Sequence, residues 1–197
     1  MTDADGRWGI RSADRVPFAD VARVLGPMRC HGGPCHCQRF HLLTRDWAAV
    51  SDASKEAALQ AQSAAGNGVV AYDGDTPVGW CAVGPRRGFT ALLQRQLLWK
   101  GRPTESPDDG SVWAVTCFAV SKGHRKQGLT RALLAAAVDV ARGHGAARIE
   151  GYPMLNSGGD TVPWGEMHVG SRATFAANGF KEVSQPSKRR LVMSRLL

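Results

Sequence analysis

The segment with the clearest potential for chemistry joins a predicted buried strand to the strongest predicted helix. Residues 121–138 contain no acidic side chain, and Gly128 lies where the loop meets the helix. The first turn of a helix exposes unpaired backbone N–H groups and the positive end of the helix dipole, and glycine lets a phosphate approach the backbone. The segment therefore predicts a phosphate-binding site. Its basic side chains are Lys122, Arg125, Lys126 and Arg131.

Charge and motif content narrow the class of ligand. The formal net charge is +8 and is spread along the whole chain, which favours anionic ligands without distinguishing nucleic acid from a phosphorylated cofactor. The sequence has no Walker motif ending in Gly-Lys-Ser/Thr and no Gly-x-Gly-x-x-Gly, which argues against a nucleoside triphosphatase and a Rossmann dehydrogenase. It also has no recognisable nucleic-acid motif, so we expect no nucleic-acid partner.

A second group of reactive side chains lies between residues 30 and 41, which include three cysteines and three histidines. Zinc takes four such ligands in structural sites, usually as two closely spaced pairs. The run Cys30-His31-Gly32-Gly33-Pro34-Cys35-His36-Cys37 does not form two such pairs. We therefore expect no metal and interpret the segment as a loop that shapes a binding pocket, with a structural zinc as the alternative.

Length and composition predict one globular domain spanning residues 1–197, because 43% of 197 residues are apolar. A core of this size needs no disulfide or metal to fold. The longest apolar run, 132–138, has seven residues, so we expect neither a membrane span nor a signal peptide. The five cysteines, an odd number, indicate reduced thiols and a cytoplasmic location.

Hydrophobic periodicity and turn residues predict an α/β (α+β) domain with a central mixed, mostly antiparallel sheet flanked by helices. The Asp-Gly turn near residue 74 predicts a hairpin, and residues 111–120 predict a buried strand. The predicted strands are 8–12, 68–72, 78–83, 111–120, 148–152, 180–183 and 190–193. The predicted helices are 17–25, 46–65, 90–99, 129–142 and 171–178, with irregular loops at 28–44 and 153–170.

The segment from Arg125 to Thr130 resembles the pyrophosphate loop of the GNAT superfamily of acyl-CoA-dependent N-acetyltransferases. That loop reads Arg/Gln-x-x-Gly-x-Gly/Ala, and this chain has Arg125, Gly128 and, in place of the last small residue, Thr130. The helix after the loop, the later Gly179-Phe180 and the predicted strand order extend the resemblance over most of the chain.

The resemblance implies that acetyl-CoA is the cosubstrate and that one continuous surface binds it. Main-chain groups of Phe118, Ala119 and Val120 would contact the pantetheine arm and the thioester. The residues that would wrap the pyrophosphate are Arg125, Lys126, Gln127, Gly128, Leu129 and Thr130.

The catalytic residues of the family do not transfer directly to this chain. The strand position of the family's glutamate base is Ala114 here, and the position of its proton-donating tyrosine is Phe175. Glu150 and Tyr152 are two residues apart on a predicted strand and so share a face. We therefore expect them to supply the base and the acid, with an ion pair between Glu150 and an arginine of the long helix as the alternative.

These observations predict an N-acetyltransferase that acts on a primary amine of a small molecule. Loops 28–44 and 155–170 would shape the acceptor pocket, and Glu166 and His168 in the second loop are candidates for positioning the acceptor. The alternatives are a protein N-terminal or lysine acetyltransferase and a weakly catalytic acyl-CoA sensor. The edge of the last predicted hairpin leaves a homodimer open as a further prediction.

Overall fold

The computed structural model describes residues 6–30, 32–155 and 164–197. The strands within these ranges are β1 (Gly9–Ser12), β2 (Arg29–Cys30), β3 (Gly33–Pro34), β4 (Val69–Asp73), β5 (Thr76–Pro85), β6 (Val112–Val120), β7 (Arg148–Gly151), β8 (Lys181–Ser187) and β9 (Arg190–Leu196). The helices are α1 (Phe18–Leu25), α2 (Asp52–Ala64), α3 (Thr90–Leu93), α4 (Gln96–Trp99), α5 (Leu129–Gly143) and α6 (Arg172–Ala177).

Seven of these strands form one sheet in the order β1-β4-β5-β6-β7-β9-β8, and β2 pairs only with β3. Neighbouring strands of the large sheet are antiparallel, except that β6 and β7 run parallel. The predicted α/β (α+β) class, with a mixed, mostly antiparallel sheet and flanking helices, is confirmed. None of the helices in the described ranges is long and apolar enough to cross a membrane.

Helices cover both faces of the sheet because side chains of successive strand residues point to opposite sides. On one face, α5 buries Leu133 against Val69 and Val115, and α6 adds Phe175 to the same core. On the other face, α1 and α2 pack over the strand residues Val70 and Trp80. Complete burial of a leucine or valine contributes about 1.5–3 kcal/mol, so these two layers hold the sheet in place.

The prediction of a helix over residues 46–65 is wrong at its start, because the helix begins at Asp52. Ser51 caps this helix: its hydroxyl accepts a hydrogen bond from the Ser54 N–H at 3.1 Å. Such a cap stabilises the first turn and marks the boundary. The predicted helix 90–99 is also wrong in extent, since it divides into the single turns α3 and α4.

The parallel pairing of β6 with β7 ends where Val115 lies opposite Gly151, although β6 continues to Val120. The 3-10 segment Trp164–Val169 packs beside this second half of β6. Within the described ranges, residues 116–120 therefore have no strand partner on the β7 side. This separation of two neighbouring strands opens the cleft in which the candidate site lies.

Candidate active site

The main cavity has a volume of about 970 Å³, within the range typical of small-molecule sites. One wall is the end of β6, and a second is the loop after β6 with the first turn of α5. The segment 27–40 and the residues Glu166, Met167 and His168 complete the lining. The cavity therefore joins the segments that the sequence assigns to cofactor binding with both loops assigned to the acceptor.

The first turn of α5 forms one end of the cavity. Gly128, which precedes the helix, has φ +83°, and Lys126 has φ +60°. A side chain at φ +83° is strained, and a Cβ at Gly128 would meet no atom within 4 Å. The backbone is thus left-handed at two positions and open to solvent where the N–H groups of the helix begin. This arrangement is a concave anion-binding surface.

Most of the predicted cofactor-binding residues line this cavity. They are Phe118, Ala119 and Val120 on β6, and Arg125, Lys126, Gly128, Leu129 and Thr130 around the helix start. Gln127 differs, because its side chain donates a hydrogen bond to Gly123 O at 2.9 Å and accepts one from Arg7 outside the cavity. Its side chain therefore braces the loop, and Gln127 itself does not line the cavity.

The cysteine-containing segment shapes the opposite wall. Cys30, Cys35 and Cys37 line the cavity together with Cys117 of β6. Among the described residues, which leave out His31, no three histidine, cysteine or acidic side chains are arranged to hold a metal ion. The five cysteines of the chain form no disulfide.

One thiol in this wall is activated by its neighbour. Cys35 accepts a hydrogen bond from Cys30, which lowers the pKa of Cys35 to about 7 although burial acts in the opposite direction. The same hydrogen bond, followed by burial, raises the pKa of Cys30. Near neutral pH the thiol and thiolate forms of Cys35 are therefore both populated, while Cys30 stays a thiol.

Glu150 and Tyr152 meet as their spacing predicts, but not at the cavity. The Tyr152 hydroxyl donates a hydrogen bond to Glu150 Oε2 at 2.9 Å, and both side chains are fully buried. Neither residue lines the cavity. The proposed roles of base and acid lack support in this geometry, because both side chains are buried away from the cavity.

Arginines close the site around Glu150. Arg86 Nη1 lies 3.1 Å from Glu150 Oε1, and Arg102 donates a hydrogen bond to the same oxygen. Arg148 lies 2.7 Å from the neighbouring Glu105 and 3.5 Å from Glu150. The ion-pair alternative for Glu150 thus has support, although the partners come from two loops and β7 and not from the long helix. We call these five residues the Glu150 cluster.

The pKa values in this cluster follow from burial and charge. Burial, followed by the charge of Glu150, raises the pKa of Tyr152 well above its usual range. Burial alone would raise the pKa of Glu105, but the hydrogen bond and charge of Arg102 lower it overall. Tyr152 is thus a neutral hydrogen-bond donor at physiological pH, and its buried hydroxyl stabilises a carboxylate rather than a substrate.

One acidic side chain and one histidine of the predicted acceptor loop 155–170 do reach the cavity. Glu166 and His168 line it, and Arg189 Nη2 lies 3.3 Å from Glu166 Oε2. The His168 ring centroid lies 6.3 Å from that of Phe40, which also lines the cavity. Residues 156–163 of the predicted loop lie outside the described residues.

The two positions at which the family's catalytic residues are replaced are both in the core. Ala114 is fully buried beside Glu150 in the sheet, and Phe175 is fully buried against Phe118 and Phe180. Their surroundings are apolar on the side that faces these side chains. Neither position supplies a proton-transfer group to the cavity.

Sequence reasoning missed Arg39 and Cys117 in the cavity wall. Arg39 follows the cysteine segment, and nothing in its spacing indicates which way it faces. Cys117 has the apolar sequence neighbours of a core strand residue, which do not indicate a cavity wall. The available signal was the register of β6, since Cys117 and Ala119 share one face.

Comparisons with known proteins agree with this geometry. Residues 38–152 match the model of the acetyltransferase (GNAT) family. No protein of curated function matches the sequence significantly. The solved structures that resemble this fold are 15–18% identical in the three examples that follow.

Arylalkylamine N-acetyltransferase like 5b from mosquito aligns at TM-score 0.61 and 16% identity, over 96% of this chain and 100% of that chain. Ribosomal-protein-alanine N-acetyltransferase from Brucella melitensis aligns at TM-score 0.56 and 18% identity, over 96% of this chain and 99% of that chain. An acetyltransferase from Salmonella typhimurium, solved with its cofactor acetyl-CoA, aligns at TM-score 0.56 and 15% identity, over 96% of this chain and 94% of that chain. These likenesses show a shared fold.

Proposed function

Because the chain belongs to the GNAT acetyltransferase family, we propose that it is an N-acetyltransferase that transfers an acetyl group from acetyl-CoA to a primary amine of a small molecule. The observation that carries this proposal is the left-handed backbone at Gly128, which leaves the first turn of α5 open to an anion inside the main cavity. A cavity of about 970 Å³ suits a small acceptor beside the pantetheine arm.

The residues present fit acetyl-CoA. The N–H groups of Leu129 and Thr130 begin a helix and so have no partner within it, which suits a pyrophosphate. Lys126 and Arg131 add positive charge to the same end of the cavity. Residues 118–120, which lack a strand partner on the β7 side in the described ranges, offer backbone groups to the amides of the pantetheine arm.

When bound, acetyl-CoA supplies an acetyl group activated as a thioester. The new N–C bond forms as the C–S bond breaks, and the proton that the amine loses balances the proton that CoA gains as a thiol. Since Glu150 and Tyr152 lie outside the cavity, we expect His168 to accept the proton of the amine. Imidazole is the side chain that most often transfers protons near neutral pH. Glu166 would orient the acceptor.

The test is a calorimetric titration of the purified protein with acetyl-CoA, with Gly128→Asp and Gly123→Asp as matched variants. Both glycines are exposed, and a Cβ at either would meet no atom within 4 Å, but only Gly128 lines the cavity. Aspartate tolerates a left-handed backbone better than most residues, so we expect both variants to fold. Gly128→Asp should weaken binding at least tenfold, whereas Gly123→Asp should bind like the parent chain.

Equal affinities in the two variants would contradict the proposed cofactor site. A panel of amines, followed by release of the CoA thiol, then tests transfer. Saturable binding without turnover on any amine would favour the sensor alternative. The cytoplasmic location and the homodimer stay predictions.

A further inference from the structure

A second basic group lies outside the start of α5. We call it the arginine cluster, and it consists of Arg39, Arg95, Arg189 and Arg190. Arg39 lines the main cavity, whereas the other three line a second cavity of about 410 Å³. The charges of Arg39, Arg95 and Arg189 all act on Arg190. The cluster is therefore one electrostatic unit that extends across both cavities.

The contacts of the cluster leave most of its guanidinium groups without a carboxylate. Arg95 lies over the Phe40 ring at 4.9 Å, and Arg190 Nη1 donates a hydrogen bond to the backbone oxygen of Tyr152 at 2.7 Å. Within the part of the chain that the structure describes, Arg189 is the one member with an acidic partner, Glu166. Among the described residues, Arg39 has no carboxylate within 4.0 Å.

Among the described residues, these four arginines face one glutamate, which leaves three positive charges uncompensated in a partly buried setting. Burial, followed by the charges of Arg95 and Arg39, lowers the pKa of Arg190 to about 10. Burial and the charge of Arg39 also lower the pKa of Arg95. These guanidinium groups nonetheless stay protonated at neutral pH, so their mutual repulsion persists.

A group of like charges held beside a cavity is stabilised when an anion enters. Guanidinium groups bind carboxylates and phosphates through paired, charge-assisted hydrogen bonds. The proposed surface for the phosphates of CoA is the start of α5, which contains none of these arginines. The arginine cluster therefore suits an anion that belongs to the second substrate. Glu166 and His168, which lie beside it in the cavity wall, suit the amine of the same molecule.

Resting on the proposed acetyl transfer, we propose that the acceptor is a small amine that carries a carboxylate or phosphate group, and that Arg39, Arg95 and Arg190 bind this anionic group. The cluster then fixes the acceptor by its anion and leaves the amine nitrogen directed toward the end of β6. An amine without an anionic group would lack the contacts that hold it there.

The experiment compares amines that are matched in length and differ in charge. The pairs are O-phosphoethanolamine with ethanolamine, and β-alanine with β-alaninamide. With acetyl-CoA saturating, we expect kcat/KM in at least one pair to be at least tenfold higher for the anionic amine than for its partner without an anionic group. Calorimetric titration of the same amines into the protein without acetyl-CoA supplies a second readout that does not depend on turnover.

Three variants locate the anion-binding group. Arg39→Gln should reduce both the anionic preference and the calorimetric affinity at least tenfold, and Arg95→Gln should act in the same direction. Arg45→Gln is the matched control, since Arg45 is exposed and lines neither cavity. The KM for acetyl-CoA should stay constant in all three.

Distinct results overturn the inference or the proposed function. Equal kcat/KM within both pairs, together with no calorimetric binding of the anionic amines, would overturn the inference while acetyl transfer stands. A rise in the KM for acetyl-CoA in Arg39→Gln, with unchanged acceptor preference, would reassign the cluster to CoA. If acetyl-CoA itself fails to bind, the proposed function fails, and the calorimetric titration still decides whether the arginine cluster binds an anionic amine.

Discussion

Two groups of arginines in this molecule differ in how far their charge is balanced. In the Glu150 cluster, three arginines surround two glutamates, and the Glu150 carboxylate receives hydrogen bonds or ion pairs on both oxygens. In the arginine cluster, four arginines face Glu166 as their one carboxylate among the described residues. The first group lies away from the main cavity and the second lies beside it. Charges that are closed off by partners hold the fold, whereas charges held open beside a cavity are suited to bind a ligand.

The largest expected effect comes from opening the Glu150 cluster. Glu150→Gln removes one of the two carboxylates that face the buried Arg86 and Arg102 and leaves them Glu105 alone. Removing one partner of a buried ion pair typically costs about 3–5 kcal/mol of unfolding free energy. We expect a correspondingly lower urea midpoint. Well below the melting temperature, kcat should fall less than tenfold, because Glu150 does not line the cavity.

Glu182→Gln is the matched control for this change. Glu182 pairs with Arg172 at the surface, with side chains 42% and 62% exposed, so its loss should cost less than about 1 kcal/mol. Equal destabilisation by the two substitutions would remove the contrast between the clusters. A drop in kcat of a thousandfold or more in folded Glu150→Gln would instead restore its role as a base.

A middle-sized effect is expected at the thiol pair in the cavity wall. The pKa of Cys35 is lowered to about 7, so its alkylation by iodoacetamide should reach half its maximal rate near pH 7, as the thiolate replaces the thiol with rising pH. In Cys30→Ala the hydrogen-bond donor is lost, and the midpoint should rise by about one pH unit, or about 1.4 kcal/mol. Mass spectrometry identifies the labelled residue.

Cys35→Ala provides the control, because the alkylation with a midpoint near pH 7 should be absent from this variant. An unchanged midpoint in Cys30→Ala would show that the hydrogen bond does not set the pKa. The fully buried Tyr152, which donates a hydrogen bond to Glu150, offers the contrast, since its pKa is raised and not lowered.

The smallest effect has the opposite sign to the first. Arg39→Gln removes one of several mutually repelling charges and breaks no ion pair among the described residues, so it should raise the unfolding free energy by up to about 1 kcal/mol. Because the repulsion is electrostatic, the gain should shrink as salt is added. Urea titrations of Arg39→Gln and Arg45→Gln measure it. A loss above 1 kcal/mol in Arg39→Gln alone would mean that this charge is compensated.

Local patterns made most of the fold predictable. The β4–β5 hairpin follows from its turn residues, and α5 follows from apolar residues that recur along one face. The same is true of the phosphate loop, because strand, glycine and helix start are consecutive in sequence. The start of α2 was missed since alanine-rich residues extend the helical propensity back to Asp46, whereas the Ser51 cap decides the boundary.

The charged clusters could not be read from the sequence in this way. Glu150 pairs with Arg86 and Arg102, which precede it by 64 and 48 residues and lie outside the strands of the sheet. The arginine cluster draws Arg39 and Arg190 from opposite ends of the chain. No spacing rule links such residues. Their meeting depends on the sheet order, which places β9 beside β7, and on the path of the loops over it.

The ring of Phe175 packs against the backbone of two distant glycines, Gly151 and Gly170, and so links the substitutions that these positions can accept. A Cβ at Gly151 would lie 2.0 Å from this ring, and a Cβ at Gly170 would lie 3.0 Å from its other edge. A side chain at Gly151 therefore requires a smaller residue at 175, whereas one at Gly170 would also meet the Phe118 ring at 2.9 Å. Descendants of this chain would have to change the Phe175 ring before Gly151, so the order in which mutations arrive is constrained by packing.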